Sequence, residues 1–169
     1  VGIIGAKRAG ISCALLLNKL SYKVFISEIK KIDSHIKKIL PKEISFEEEI
    51  NSEKILMNDI IVASPGVSEK ERIIKRIREK NLPLIDEIEI GYRFIEGKII
   101  AITGTNGKST VAKWLHECIG DSYLAGNIGI PLTSFAFKKG TFVIEVSSFE
   151  LKRIEFFRPN VAIILNIDK

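Results

Sequence analysis

Apolar positions along this chain fall into two alternating periods. Short unbroken apolar runs at residues 1–4, 23–27, 59–64, 83–85, 99–102, 123–125, 142–146 and 161–166 read as strands buried on both faces of parallel sheets. Between them the spacing becomes helical. Residues 11–20 predict an apolar helix, and Ile73, Ile74 and Ile77 supply the buried face of another. Val111, Trp114, Leu115, Cys118 and Ile119 fall at i, i+3, i+4, i+7 and i+8, which is one helical face. Ser68 with Glu71, and Asp86 with Glu89, have capping-box spacing. The second box predicts a helix that runs to Ile95 and is stopped by Gly97. A further helix is expected near residues 149–154. Residues 30–54 are weakly patterned and rich in Lys and Glu, which predicts short elements joined by long turns.

This alternation argues for an α/β architecture with mostly parallel sheets. The pattern divides near residues 96–98, giving a Rossmann-like unit over residues 1–95 and a P-loop-type unit over residues 98–169. The second unit has few strands for a closed P-loop domain and is expected to be truncated. Val1 already lies inside a strand pattern, so the natural start is expected to be missing as well.

Composition narrows the classes. Hydrophobic residues make up 46% of the chain, enough to build sizeable cores, yet no apolar run approaches a membrane span and no leader pattern opens the chain. The formal charge of +5 suits a polyanionic ligand. Many lysines nevertheless sit in runs such as Lys30-Lys31 and Lys37-Lys38, which read as solvated faces, and basic residues are not interleaved with aromatics as nucleic-acid binding would require. Cys13 and Cys118 occupy apolar helical stretches and are expected to be buried free thiols, without metal-ligand spacing. His35 and His116 read as surface residues.

The chemistry concentrates after residues 99–102, where Thr103 leads into Gly104, Thr105, Asn106, Gly107, Lys108, Ser109 and Thr110. Strand, glycine loop, Lys-Ser and helix make a phosphate cradle. Loop amides point at phosphate oxygens, the helix N-terminus adds partial positive charge, Lys108 reaches the outer phosphates, and the Ser109 hydroxyl can hold Mg²⁺. The general pattern G-x-x-x-x-G-K-[ST] places its first glycine where Ile102 stands; here Gly104 is the first glycine. An ordinary strand-to-helix turn is the competing explanation, but the flanking strand and helix favour nucleoside triphosphate binding. Glu145, near the C-terminal end of a buried strand, shares the sheet edge with this loop. An acid there can complete Mg²⁺ coordination with Ser109, the alternative being a helix cap or a lysine pair.

A second glycine loop, Gly5-Ala-Lys-Arg-Ala-Gly10, also follows a strand and precedes a helix. Lys7 replaces the middle glycine of a dinucleotide fingerprint, and Glu28 ends the next strand in position to bind ribose hydroxyls. On these residues alone an NAD-type site and another nucleotide diphosphate site are equally compatible, with a plain turn as a third reading.

The segment from Thr103 to Thr110 resembles the ATP loop of the Mur ligases, and its Lys-Ser-Thr ending resembles the D-glutamate-adding branch of that family. The order of glycine loop, acidic strand end and the turn Ser64-Pro-Gly-Val67 is similar to the N-terminal domain of the same branch. In that family the Rossmann-like domain holds the UDP part of the substrate, which implies substrate contacts at Gly5, Arg8, Gly10, Glu28 and Ser64. Lys7 and Ala9 depart from the usual Gly and Ser/Thr. The stretch Ala125-Gly-Asn-Ile-Gly-Ile-Pro131 resembles a motif that places Asn127 near the muramoyl-peptide substrate. Glu145-Val-Ser-Ser-Phe-Glu150 resembles one that normally ends in Gln, where this chain has Glu150. Without the resemblance, Asn127 would be a turn residue and Ser147 and Ser148 helix caps.

The resemblance implies an ATP- and Mg²⁺-dependent ligase of peptidoglycan precursor synthesis in the bacterial cytoplasm. It would join D-glutamate to UDP-N-acetylmuramoyl-L-alanine through an acyl phosphate. ATP would be held by Gly104, Thr105, Asn106, Gly107, Lys108, Ser109 and Thr110, with Lys108 and Glu145 catalytic and Ser109 and Glu145 on the metal. A monomeric full-length enzyme is expected. A histidine and a modified lysine serving a second metal, and a domain binding the amino acid, are expected beyond these residues, so the polypeptide alone is expected not to form the amide bond. Three alternatives remain open at this point: another Mur-type or folylpolyglutamate-type ligase, a P-loop kinase or other NTPase, and a non-catalytic nucleotide-binding fragment.

Overall fold

The computed structural model describes residues 1–167 and divides into two compact units, Val1–Glu87 and Ile88–Lys169. The first is a five-stranded sheet of β1 (Gly2–Ile4), β2 (Phe25–Glu28), β3 (Ser45–Glu48), β4 (Ile61–Ala63) and β5 (Leu84–Asp86), ordered β3-β2-β1-β4-β5. All its pairings are parallel. This is the strand order of a Rossmann half, with the switch point at β1 and β4. Helix α1 (Arg8–Lys19) buries Cys13, Ala14, Leu16 and Leu17. Helix α3 (Arg72–Glu79) buries Ile73, Ile74 and Ile77 in a cluster with Ile4, Ile55, Ile61 and Ala63. The weakly patterned stretch contains the short helix α2 (Ser34–Ile39), β3 and a 3-10 turn over Glu53–Met57.

Helix α4 (Glu87–Tyr92) begins at the division, and the second unit is built on a four-stranded parallel sheet ordered β7-β8-β6-β9. Its strands are β6 (Glu96–Thr103), β7 (Tyr123–Gly126), β8 (Lys139–Glu145) and β9 (Val161–Ile164). Helix α5 (Lys108–Ile119) follows β6. The aromatic cluster of Phe142, Phe157, Tyr92, Tyr123 and Phe135 fills one side of the sheet, together with Ile88, Ile99 and Leu132. Among the described residues no helix is long and apolar enough to cross a membrane.

Several expectations are corrected. The chain divides between Glu87 and Ile88, ahead of residues 96–98, because Ile88, Tyr92 and Ile95 pack into the aromatic cluster. Gly97 does not stop a helix; it lies within β6, paired with Gly140, where a Cβ would stand 1.9 Å from the Gly140 carbonyl oxygen. Helix α4 ends at Tyr92, short of Ile95, and Glu89 serves a segment distant in sequence. Its buried carboxylate accepts the amides of Glu155 (3.0 Å), Phe156 (3.1 Å) and Phe157 (2.9 Å) across the unit. The Ser68–Glu71 box closes only in part: Glu71 accepts the Ser68 amide at 3.3 Å, the Ser68 hydroxyl takes Lys70, and α3 begins later, at Arg72. The helix near residues 149–154 is a single 3-10 turn, Glu150–Lys152.

On α5 the buried residue is Ala112, flanked by half-buried Val111 and Leu115, while Trp114 is 63% exposed. Cys118 is exposed and Cys13 buried, so the expectation of two buried thiols holds for Cys13 alone; both are free. His35 is exposed, but His116 is half-buried, with Nδ1 2.8 Å from the Ser122 hydroxyl.

Candidate functional site

The C-terminal ends of parallel strands form the edge where ligands of open α/β sheets bind. In the second unit β6 ends at Thr103 and α5 starts at Lys108, leaving Gly104–Gly107 as the loop. Gly104 (φ 146°) and Gly107 (φ 84°) both occupy the left-handed half of backbone space. The departure from the general pattern now has a cause. Ile102 is completely buried in the sheet, paired with Glu145 on one side and Ile163 on the other, so the loop has not yet begun there. Gly104 is the first position out of the sheet. A Cβ on it would come within 3.1 Å of Leu165 and 3.2 Å of the Asn166 backbone.

Lys108 curls back over this loop. Its ammonium donates to the carbonyls of Gly104 at 2.7 Å and Thr105 at 3.1 Å. Ser109, in the first turn of α5, donates its hydroxyl to Glu145 Oε2 at 2.7 Å. Glu145 is the last residue of β8 and only 4% exposed. Thr110 sits exposed on the same first turn. Asn127, just past β7, donates its backbone N–H to the Glu145 carbonyl at 3.0 Å, so it shares this sheet edge. Loop, lysine, serine, carboxylate and Asn127 are thus gathered at one place, drawn from segments far apart in sequence.

The Ser109–Glu145 pair offers two hard oxygen donors. Among the described residues no group of three or more His, Cys, Asp or Glu could hold a metal by itself. Such a pair suits Mg²⁺, which keeps several waters and binds through one or two protein oxygens plus substrate phosphates.

Glu150 supports the turn that follows Glu145. Its Oε2 accepts the Ser147 amide at 2.5 Å, while its own amide donates to the Ser147 hydroxyl at 3.3 Å, so Ser147 acts as a cap. Oε1 is buried and has no hydrogen-bond partner among the described residues. Burial, with the negative charge of Glu145 adding to it, pushes the Glu150 carboxyl above its ordinary range despite the Ser147 bonds and the Arg153 charge.

One residue of the site went unforeseen. Asn166 follows β9 and holds the phosphate loop. Its backbone carbonyl accepts the Thr105 amide at 3.0 Å, its side-chain oxygen accepts the Asn106 amide at 2.8 Å, and its side-chain nitrogen donates to the Asn106 carbonyl at 3.1 Å. The available signal was its position: a polar residue directly after a buried parallel strand at the loop-bearing edge.

In the first unit Gly5, Gly10 and Ser64 form one close-packed knot. A Cβ on Gly10 would lie 1.9 Å from the Gly5 carbonyl oxygen, and one on Gly5 2.8 Å from the Ser64 hydroxyl. That hydroxyl donates to the Gly5 carbonyl at 3.2 Å. Glu28 Oε2 accepts the Ala6 amide at 2.7 Å, and Oε1 accepts the Lys30 amide at 2.9 Å. The Glu28 carboxylate therefore braces the glycine loop through Ala6, with both oxygens engaged by backbone. Lys7 caps α1 without a side-chain hydrogen bond, and Arg8 opens that helix exposed.

Comparison with known proteins agrees across the whole length. Residues 1–73 match the MurD N-terminal domain and residues 102–169 the Mur ligase middle domain. A UDP-N-acetylmuramoylalanine–D-glutamate ligase of Chlorobium phaeobacteroides is 38% identical over 99% of this chain, which covers 38% of that relative. The enzyme of the same name from Cytophaga hutchinsonii is 40% identical over 98% of this chain, which covers 39% of it. The chain thus spans under two fifths of the length of these curated relatives. Among solved structures, a murein peptide ligase from Psychrobacter arcticus superposes with a TM-score of 0.56 at 20% identity, over 99% of this chain and 43% of that one. A UDP-N-acetylmuramate–alanine ligase from Thermotoga maritima gives 0.52 at 17% identity, over 98% of this chain and 41% of that one. These two likenesses speak to the fold.

Proposed function

Because this chain belongs to the Mur ligase family, we propose that it serves the ATP-dependent joining of D-glutamate to UDP-N-acetylmuramoyl-L-alanine, a step of peptidoglycan precursor synthesis in the bacterial cytoplasm. On this reading the first unit holds the UDP-bearing substrate and the second holds ATP. The observation that carries it is the 2.7 Å contact between the Ser109 hydroxyl and the Glu145 carboxylate beside a Gly-Lys loop.

The reaction follows from the chemistry of the acceptor. A carboxylate is a poor acyl donor, so its oxygen first attacks the γ-phosphorus of ATP, giving an acyl phosphate and releasing ADP. The amine of D-glutamate then attacks the carbonyl carbon and phosphate leaves. Lys108 exchanges the carbonyls of Gly104 and Thr105 for phosphate oxygens, bringing its positive charge to where negative charge gathers. Ser109 and Glu145 would hold Mg²⁺, whose role is to neutralise charge on the transferring group. Gly104, Thr105, Asn106, Gly107 and Thr110 shape the loop around the polyphosphate. Asn127, whose backbone N–H bonds to the Glu145 carbonyl, would orient the acceptor.

In the first unit Gly5, Gly10 and Ser64 shape the turn that receives the diphosphate, Glu28 braces it, and Arg8 supplies positive charge at its mouth. Trp114 is the sole tryptophan and lies on α5, so its fluorescence reports directly on the ATP unit. Titration with Mg-ATP should give a saturable change, and UDP-N-acetylmuramoyl-L-alanine should raise the melting temperature where NAD does not. Stabilisation by NAD alone, with no response to Mg-ATP, would reverse the assignment.

A further inference from the structure

The phosphate loop is short of glycine, and something besides its own sequence must hold its shape. Two of its amides, those of Thr105 and Asn106, point at a single residue outside the loop, Asn166. The pairing with Asn106 is reciprocal: the Asn166 amide group both accepts from and donates to the Asn106 backbone, at 2.8 and 3.1 Å. This is the pattern of two neighbouring peptide groups in a sheet, built here by one side chain. The same segment explains Gly104, because the Leu165 and Asn166 backbone occupies the space a side chain there would need. The Leu165 amide donates to the Thr103 carbonyl at 3.0 Å, so β9 continues to guide the chain up to the point of contact.

We propose that Asn166 is the positioning residue of the phosphate loop: its carboxamide fixes the peptide between Asn106 and Gly107 so that the amides opening α5 face the polyphosphate. This rests on the nucleotide reading given above. The physical reasoning is one of preorganisation. The first amides of a helix have no intrahelical partner and form an anion site only if the preceding turn aims them. Gly107, in the left-handed conformation, makes that turn, and glycine by itself does not hold one conformation. Asn106 immediately precedes it, and locking both the N–H and the C=O of Asn106 removes the freedom Gly107 would otherwise confer. Only a primary carboxamide satisfies a donor and an acceptor together at this reach. Alanine satisfies neither, and aspartate accepts but cannot donate, while placing negative charge beside the phosphates.

The test uses the 169-residue chain and the variants N166A and N166D, read by Mg-ATP titration through Trp114 and by amide hydrogen exchange without nucleotide. N166A should weaken Mg-ATP by about tenfold, the loss of one or two net hydrogen bonds' worth of preorganisation. It should speed exchange at Asn106 while leaving Thr105 unchanged, because Thr105 bonds to the backbone oxygen that alanine retains. N166D should keep the Asn106 amide protected yet bind Mg-ATP no better than N166A. A merely structural asparagine would lower the melting temperature without this split between neighbouring amides. If the wild-type chain binds Mg-ATP and N166A binds it within about twofold, or if exchange at Asn106 does not respond, the inference is overturned and the nucleotide reading stands. If the wild-type chain does not bind Mg-ATP, the nucleotide reading itself falls, and the affinity role of Asn166 with it.

Discussion

Replacing Glu89 with alanine should remove a large share of the second unit's stability, although Glu89 lies outside the proposed chemistry. Its carboxylate is completely buried and receives three consecutive backbone amides, those of Glu155, Phe156 and Phe157, at 2.9 to 3.1 Å. These residues lie beyond β8, in the irregular stretch before β9, and have no ladder to satisfy them. Removing the acceptor leaves the buried Phe157 amide unsatisfied, at about 1–3 kcal/mol, and weakens two part-buried, charge-assisted bonds by about 1 kcal/mol each. The contact with Arg93 adds little, being 3.5 Å long and on the arginine side 40% exposed. The sum is about 3–5 kcal/mol, a large share of the roughly 5–15 kcal/mol available to a whole domain. E89Q keeps one acceptor oxygen and should lose about half as much.

Urea denaturation followed through Trp114 reads the second unit, and exchange at the Phe157 amide reads the bond itself. A shift of less than about 0.5 kcal/mol, the usual size of a surface substitution, would refute the accounting. So would a loss in E89A no greater than that in R93A, because the ion pair would then be the origin of the effect.

Three further outcomes are expected. Under native conditions a thiol reagent should modify Cys118 promptly and Cys13 only on unfolding, since Cys13 is buried and its thiol is pushed well above its ordinary range by burial and the charges of Glu87 and Asp86; two equally fast thiols would contradict this. The raised Glu150 carboxyl means the folded chain binds more protons than the unfolded chain above the ordinary carboxylate value, so stability falls as pH rises through that window. E150Q should therefore melt higher than the wild type at neutral pH and converge with it toward pH values near 4.5, the ordinary carboxyl value; a gap that persists in acid would point to packing instead. K108M should weaken Mg-ATP by about one to two orders of magnitude through loss of a charge-assisted phosphate contact, and E145Q should chiefly raise the Mg²⁺ requirement; unchanged titrations for both would remove Lys108 and Glu145 from the site.

Much of the fold was legible because parallel strands buried on both faces announce themselves as apolar runs, as at Ile99–Ile102 and Phe142–Val146. The phosphate loop was legible because its residue types serve local geometry. What escaped depends on partners distant in sequence. Glu89 sits at capping-box spacing from Asp86, yet its acceptors are claimed by residues 155–157, a match no local pattern encodes. Trp114 and Cys118 fit a helical stripe, but the face that packs is centred on Ala112, whose small side chain lets α5 lie close on the sheet. Gly97 looked like a helix stop because glycine serves both purposes; only Gly140 opposite it decides between them. Asn166 carries no motif at all, and its role emerges only where two strand ends meet.

The two glycines facing each other at the foot of β6 and β8 have a reach beyond their own neighbourhood. With 1.9 Å between a would-be Cβ on Gly97 and the opposing oxygen, this alignment of the two strands admits only glycine at position 97. Five residues farther along, about 17 Å at the rise of a parallel strand, the same alignment sets Ile102 against Glu145. The pair works as the zero mark of a ruler: sliding either strand by one notch would turn the carboxylate to the opposite face of the sheet, away from Ser109.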